Sequence, residues 1–162
     1  MKRLLITLLV IFFSLFAALV TVIGALGIFF AANTPQDPVL SSLPDYTHKE
    51  YVSAGHIGDF TDYGKYTYAL SVTDLAENPY LKPVGESDLA VIGGYLDNFE
   101  NWVEICTDFP AEQYDFERSA LGTGDWFYIR NANEDPEKLY WNYTLYYFDS
   151  ASGILYYFHN NI

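Results

Sequence analysis

The residue types that most often carry nucleophilic or metal chemistry are scarce in this chain. It has one cysteine, Cys106, and three histidines, His48, His56 and His159. No pair of them has the spacing of a zinc site. Cys106 falls on the apolar stripe of a predicted helix, which favours a packed small hydrophobic side chain over a thiol activated by a base. The sequence therefore predicts no metal site, no cofactor and no catalytic residue.

Carboxylates are abundant, with 21 aspartates and glutamates against 8 lysines and arginines. Asp59 and Asp62 lie between glycines in GDFTDYG, but the oxygen series ending in glutamate that an EF-hand requires is missing. The spacing of the acidic residues therefore does not support a function in sensing calcium or another cation. A glycoside hydrolase needs two carboxylates in one cleft. Hydrolysis of an extracellular glycan or peptide by carboxylates is the enzymatic alternative.

Tyrosine dominates the aromatic content, with 15 residues that concentrate in the C-terminal third. Aromatic side chains on a sheet can stack on sugars or on the side chains of a partner. Tyrosine also suits a strand that has one wet face, so a purely structural role is the competing interpretation. The residues predicted to bind a ligand are Tyr140, Tyr146, Tyr157 and Trp126.

An uncharged apolar stretch covers residues 4–32. At about 1.5 Å per residue, a helix of this length exceeds a hydrocarbon core of roughly 30 Å. The stretch therefore predicts a single transmembrane helix. Lys2 and Arg3 precede it and no basic residue follows before Lys49, which predicts a cytoplasmic N-terminus (residues 1–3) and an extracytoplasmic C-terminal domain at the cell membrane.

A cleaved signal peptide would share that orientation. Its apolar region normally spans about 7 to 15 residues. The best cleavage site, Ala25-Leu26-Gly27, is followed by further apolar residues, so a retained anchor is favoured. Ala17, Thr21 and Ala25 form a small-xxx-small ladder that would suit a homodimer, although small residues are common in membrane helices generally.

Beyond the stretch, prolines indicate a linker over 33–45, and residues 46–162 form one domain of ordinary size. All 21 acids lie beyond residue 32, against 6 bases there. This charge excludes nucleic acid as a partner, because phosphates would be repelled. The expected partners are the lipid bilayer and a membrane protein or cell-envelope component.

The clearest element of the domain is a helix predicted over 86–106. Apolar residues recur there at spacings of three and four, Ser87 can cap the first turn, and acids lie at its positive end. Gly93 and Gly94 would weaken this helix, so a neighbouring group is expected to pack closely against them.

Alternating apolar and polar residues predict strands over 114–120, 125–130, 139–149 and 154–159, with a hairpin loop over 149–153. Residues 46–85 give a mixed signal, with one strand over 65–70. The predicted fold is an N-terminal single transmembrane helix plus a small α+β domain. In that domain an antiparallel β-meander of about four strands carries one amphipathic helix on a face.

The predicted function is a non-catalytic binding or accessory module that contacts an envelope component or membrane partner through its tyrosine-rich sheet. A flat aromatic patch would favour this module, whereas a deep pocket with convergent carboxylates would favour the hydrolase.

Overall fold

Residues 12, 13, 16, 18–23, 37–55, 58–132, 135 and 138–161 are described by the structure, a computed structural model. The chain divides into two compact units, Met1–Pro38 and Val39–Ile162. The second unit includes residues 46–162, over which one domain is predicted. It also contains residues 39–45 of the predicted linker, which include a buried Val39.

The predicted transmembrane helix is not found among the described residues. Most of the stretch 4–32 lies outside the described residues, as do Ala17 and Ala25 of the small-residue ladder; residues 12, 13, 16 and 18–23 are described and helical. In the described parts of the chain, no helix is long and apolar enough to cross a membrane. The 20-residue helix Glu86–Ile105 is long enough but carries acidic side chains. The expected single-pass signal-anchor is therefore contradicted, and the extracytoplasmic location stays a prediction.

Within the described part of the second unit, six strands form one antiparallel sheet. The strands are β1 (His48–Gly55), β2 (Phe60–Thr67), β3 (Lys82–Pro83), β4 (Trp126–Asn131), β5 (Asn142–Asp149) and β6 (Ile154–Asn161). Their order across the sheet is β1-β2-β6-β5-β4-β3. The helices are α1 (Pro38–Ser41), α2 (Val72–Glu77) and α3 (Glu86–Ile105), with two 3-10 helices at Ala111–Gln113 and Arg118–Ala120.

The predicted four-stranded meander is wrong in number and in membership. β1, β2 and β3 come from the region 46–85, whose glycines and prolines obscured the strand pattern. The strand predicted over 114–120 does not form. Tyr114 and Phe116 alternate with Asp115 as strand residues would, but their rings pack on the core while the Tyr114 hydroxyl donates to Glu100 of α3. This segment crosses the sheet face through side-chain contacts instead of pairing with a strand.

The helix predicted over 86–106 is present as α3, with small differences at its ends. Its apolar stripe is buried against the sheet, as the spacing predicts. The buried members are Ile92, Tyr95, Leu96, Phe99 and Val103. The first turn is closed by Asp88, whose carboxylate accepts the backbone N–H of Gly85 at 3.0 Å, and not by Ser87.

The sheet is covered on both faces, which the sequence pattern did not predict. On one face, here the helix face, α3 and residues 109–121 bury a first core around Phe99, Phe127 and Phe158. On the opposite face, Val39 of α1 and Leu75 of α2 pack on a second core. That second core also holds Tyr66, Tyr68, Leu81, Tyr146, Phe148, Leu155 and Tyr157. Most sheet side chains are therefore enclosed whichever way they point.

Candidate functional site

A row of tyrosines crosses the opposite face of the sheet. Residues of five neighbouring strands stand in register in this row, which we call the tyrosine row: Tyr51, Gly64, Tyr157, Tyr146 and Tyr128. Ring centroids lie 6.2 Å apart for Tyr51 and Tyr157, and 5.5 Å apart for Tyr146 and Tyr157. These separations are typical of favourable edge or tilted aromatic contacts.

The absence of a side chain at Gly64 allows the rings of Tyr51 and Tyr66 to pack over this position of β2. A β-carbon at this position would lie 3.1 Å from ring atoms of both Tyr51 and Tyr66, closer than ordinary packing allows. The Lys49 ammonium lies 4.8 Å and 5.3 Å from the centroids of these two rings, an arrangement that cation–π attraction favours. The missing side chain on β2 thus creates an aromatic cluster at the β1 end of the row.

The predicted ligand-binding residues do not form one patch. Tyr146 is fully buried and Tyr157 is 9% exposed, so both belong to the second core. Trp126 is half-buried at the margin of that core. Tyr140 lies on the helix face, where its ring packs 5.0 Å from that of Tyr95. Tyr51, 45% exposed, is the residue through which the tyrosine row reaches the surface.

The next row along the opposite face is polar. Its members, again in register across five strands, are Ser53, Asp62, His159, Thr144 and Arg130. The His159 Nδ1 lies 2.7 Å from the carbonyl oxygen of Tyr143. Since a carbonyl only accepts, Nδ1 must carry a proton. The same Nδ1 faces the Thr144 hydroxyl at 3.0 Å. It therefore cannot act as the base that would activate this hydroxyl.

Asp62 is the least satisfied member of this row. It is 5% exposed, and its Oδ1 has no hydrogen-bond partner in the described structure. Burial, followed by the nearby Asp62 carboxylate, raises the pKa of the Tyr51 hydroxyl above its ordinary value. The row lines up polar groups of several kinds, but its described hydrogen bonds do not pair a nucleophile with a base.

β1 forms one edge of the sheet, and its surface is open. All eight residues pair with β2, and the described structure holds no strand on the other side. Six of the eight residues are exposed, the exceptions being Val52 and Ala54. An unpaired edge presents backbone N–H and C=O groups to any further strand. The opposite edge differs, because β3 has only two residues and one of them is Pro83.

An acidic cavity of about 300 Å³ lies beside the middle of β1 on the helix face. It is lined by Glu50, Tyr51, Val52, Tyr63, Lys65, Glu112, Gln113 and Asp115. The Lys65 ammonium is bound on both sides, 2.7 Å from Glu50 and 2.6 Å from Asp115. Three carboxylates thus share this space with one ammonium, so the cavity carries net negative charge.

Two of these carboxyl groups are held ionised. Hydrogen bonds from Lys65 and His48 lower the pKa of the Glu50 carboxyl. Burial would raise the pKa of Asp115, but hydrogen bonds from Lys65 and Tyr63 outweigh it and leave that pKa below its ordinary value. Groups tuned in this direction act as permanent anions and hydrogen-bond acceptors, and they do not suit proton donation near neutral pH.

A second cavity, of about 270 Å³, opens at the end of β1 on the same face. Its walls include Ala54 of β1 and Trp102, Ile105 and Cys106 at the end of α3. Polar residues, among them Asp59, Asp108 and Asn160, also line it. Ile105, which is 61% exposed, forms an apolar part of its mouth. Cys106 packs against the first core, as the helix register predicted, yet it is only half-buried and lines the cavity. No described histidine lines this space, and His56 lies outside the described residues.

The edge strand and its two cavities were missed at the sequence level. Tyr51 and Val52 hinted at a strand, but His48–Gly55 lacks a regular apolar alternation. Lys65 and Asp115 are 50 residues apart, and nothing in the sequence pairs them. No group of three or more potential metal ligands is found among the described residues. The chain matches no protein-family model, and the searches of curated proteins and of solved structures find no similar protein.

Proposed function

We propose that the second unit is a non-catalytic binding module that takes an extended segment of a partner protein along β1. One observation carries this proposal: an eight-residue, exposed edge strand borders two cavities. Addition of a strand to an open sheet edge is a recurrent mode of peptide recognition, in which main-chain hydrogen bonds supply affinity and side pockets supply specificity.

The contrast between the two edges supports this role. Natural sheets blunt their edges with short strands, prolines or charges. β3 uses the first two of these, with two residues that include Pro83. β1 has acidic or basic side chains only at His48, Lys49 and Glu50, and its continuation Tyr51–Gly55 has none. The second half of β1 therefore lacks the protection that the other edge has.

In this proposal most of the tyrosines support the binding edge and do not contact the partner themselves. A flat aromatic patch was the expected sign of a binding module, but Tyr146 and Tyr157 are buried. They act as a rigid base for the exposed Tyr51, whose ring would pack beside a strand added at β1. An aromatic side chain with little freedom to move adds contact area at low entropic cost.

The hydrolase alternative has little support in the acidic cavity. A glycosidase of the usual kind pairs an ionised carboxylate with a carboxylic acid whose pKa is raised. Glu50 and Asp115 both have a lowered pKa, and both are bound to Lys65. The observation favours a charged recognition surface over acid catalysis.

Hydrogen exchange measured by mass spectrometry tests the module directly. Peptides selected against the full chain from a displayed library should slow amide exchange in His48–Gly55, because pairing would cover the outward amides. Adjacent residues of a strand direct their N–H groups to opposite sides, one towards β2 and the next towards the open edge. One of the variants Val52→Pro and Ser53→Pro therefore removes only an N–H group at the open edge and keeps the pairing with β2. The variant that keeps the parent melting temperature should lose peptide binding. Selected peptides that leave β1 exchange unchanged would overturn the proposal.

A further inference from the structure

We infer that the segment recognised by β1 is basic at one position and apolar four residues away, and that these two side chains occupy the acidic and the apolar cavity. This inference rests on the proposed function and names the chemical class of its partner. It follows from the charge of the first cavity, the lining of the second and the spacing of β1 residues between them.

The charge balance of the acidic cavity selects a cation. Lys65 is already engaged by Glu50 and Asp115 at 2.7 Å and 2.6 Å. Glu112, exposed at the rim, has no ion pair among the described residues. A lysine or arginine entering beside Glu50 would meet this uncompensated negative charge, whereas an acidic side chain would be repelled. The net charge of −13 for the whole chain acts in the same direction at longer range.

The second cavity selects an apolar side chain. Ala54, Trp102, Ile105 and Cys106 supply an apolar wall that is larger in area than the polar part, which includes Asp59, Asp108 and Asn160. Its volume of about 270 Å³ is below the size usual for drug-like ligands, and it suits a single aliphatic or aromatic side chain. Such a side chain would also cover Ile105, which is 61% exposed.

The spacing follows from the geometry of a strand. Glu50, Val52 and Ala54 alternate along β1 and share the helix face. Glu50 borders the acidic cavity and Ala54 the apolar one. A paired segment rises about 3.3 Å per residue, so its side chains opposite Glu50 and Ala54 are four residues, or roughly 13 Å, apart. Parallel and antiparallel addition place the basic residue on different sides of the apolar residue.

Fluorescence anisotropy with designed peptides tests the inference on the full chain. The probe is a labelled threonine- and serine-rich peptide carrying one arginine and one leucine four residues apart, made in both orders because pairing polarity is not specified. One order should bind more tightly than its versions with arginine changed to glutamate or leucine changed to serine. Its affinity should fall with added salt, because the contact is partly electrostatic.

Two variants of the chain distinguish the effect of the acidic cavity on peptide affinity from the effect of the overall negative charge. Glu112→Gln should weaken binding of the probe by about threefold to fivefold, the upper part of the range for an exposed ion pair. Glu104→Gln removes the same charge from the exposed surface of α3 and should leave affinity within about twofold. Equal effects of the two variants would overturn the assignment of the cation to this cavity.

The outcomes also distinguish this inference from the proposed function. Library-selected peptides that protect β1 from exchange but carry no basic or apolar preference would overturn the inference alone. If neither these nor the designed peptides protect β1, both fail together.

Discussion

The hydroxyl oxygen of Tyr140 lies 2.8 Å from the position that a β-carbon would take at Gly94. The tyrosine therefore occupies the space that a side chain on α3 would need. At the neighbouring Gly93 the nearest atom, Nη1 of Arg118, is 4.0 Å from the corresponding position. Two consecutive helical glycines thus differ in their surroundings, which makes them a matched pair for experiment.

We expect Gly93→Ala to raise the free energy of unfolding by about 0.5–1 kcal/mol, the usual gain when alanine replaces glycine in a helix. Gly94→Ala should gain less or lose, because the Tyr140 ring must move. Chemical denaturation of both variants measures the difference. In a Tyr140→Phe background the nearest remaining atom is a ring carbon at 3.7 Å, so the gain at Gly94 should return. Equal gains for both glycines in the parent chain would contradict this account.

Tyr147 anchors the loop before β4. Its hydroxyl accepts the Gly122 N–H at 2.9 Å and donates to the buried carboxylate of Asp125. Tyr147→Phe leaves both groups without this partner and should lower the free energy of unfolding by about 2 kcal/mol. Tyr156→Phe is the control, since the Tyr156 hydroxyl makes no hydrogen bond among the described residues, and it should change stability by less than about 0.5 kcal/mol. Urea denaturation of both variants provides the measurement.

We expect Lys65 to contribute more to the free energy of unfolding than an exposed lysine does. Its side chain is 16% exposed between Glu50 and Asp115. Asp115 accepts hydrogen bonds from the side chains of Lys65 and Tyr63, and Lys65→Met leaves it with Tyr63 alone. The free energy of unfolding should therefore fall by about 1–2 kcal/mol. Lys82→Met removes an ion pair with Asp88 that is longer, at 3.2 Å, and whose lysine is 60% exposed. That control should cost about 0.5 kcal/mol or less. A similar cost for both would show that burial of the Lys65 pair contributes nothing.

Alkaline pH should unfold the domain through its tyrosines. Burial raises the folded-state pKa of seven described tyrosines above the ordinary 10.0: Tyr51, Tyr63, Tyr95, Tyr114, Tyr143, Tyr147 and Tyr156. Above about pH 10 the unfolded chain releases protons that the folded chain retains, so the stability is complete below that pH and falls as pH rises. Tyrosinate absorbance and circular dichroism should then change together in one cooperative step. A gradual absorbance rise in a chain that keeps its dichroism would contradict this.

The parts of the fold that sequence could predict are those with a strong local signal. α3 is recognisable because its apolar stripe repeats over 20 residues. The hairpin between β5 and β6 is recognisable because Asp149 caps the turn and Gly153 adopts a φ of 70°, which glycine tolerates. In both cases neighbours in sequence determine the structure.

The strands that were not predicted, and the burial of two of the tyrosines predicted to bind a ligand, depend on distant contacts. Tyr146 and Tyr157 were expected on a ligand-binding face, but residues such as Val39 and Leu75 help to cover that side of the sheet. β1 has little apolar content, and it is a strand because every residue pairs with β2. The acidic cavity exists because residues 112–115 return over β1 and β2, a contact that no local pattern encodes.

The position of β6 governs when the sheet can assemble. Among the described strands β6 comes latest in the sequence, yet it lies between β2 and β5, and Thr61 bonds to Asn160 across 99 residues of sequence. The hairpin of β1 and β2 can form first, but the other side of β2 has no partner until β6 pairs with it. Long-range closure of this kind carries a high entropic cost before any contact is gained, so we expect the sheet to fold slowly. Until β6 pairs, β2 is a second unpaired edge of the sheet, to which another chain could add.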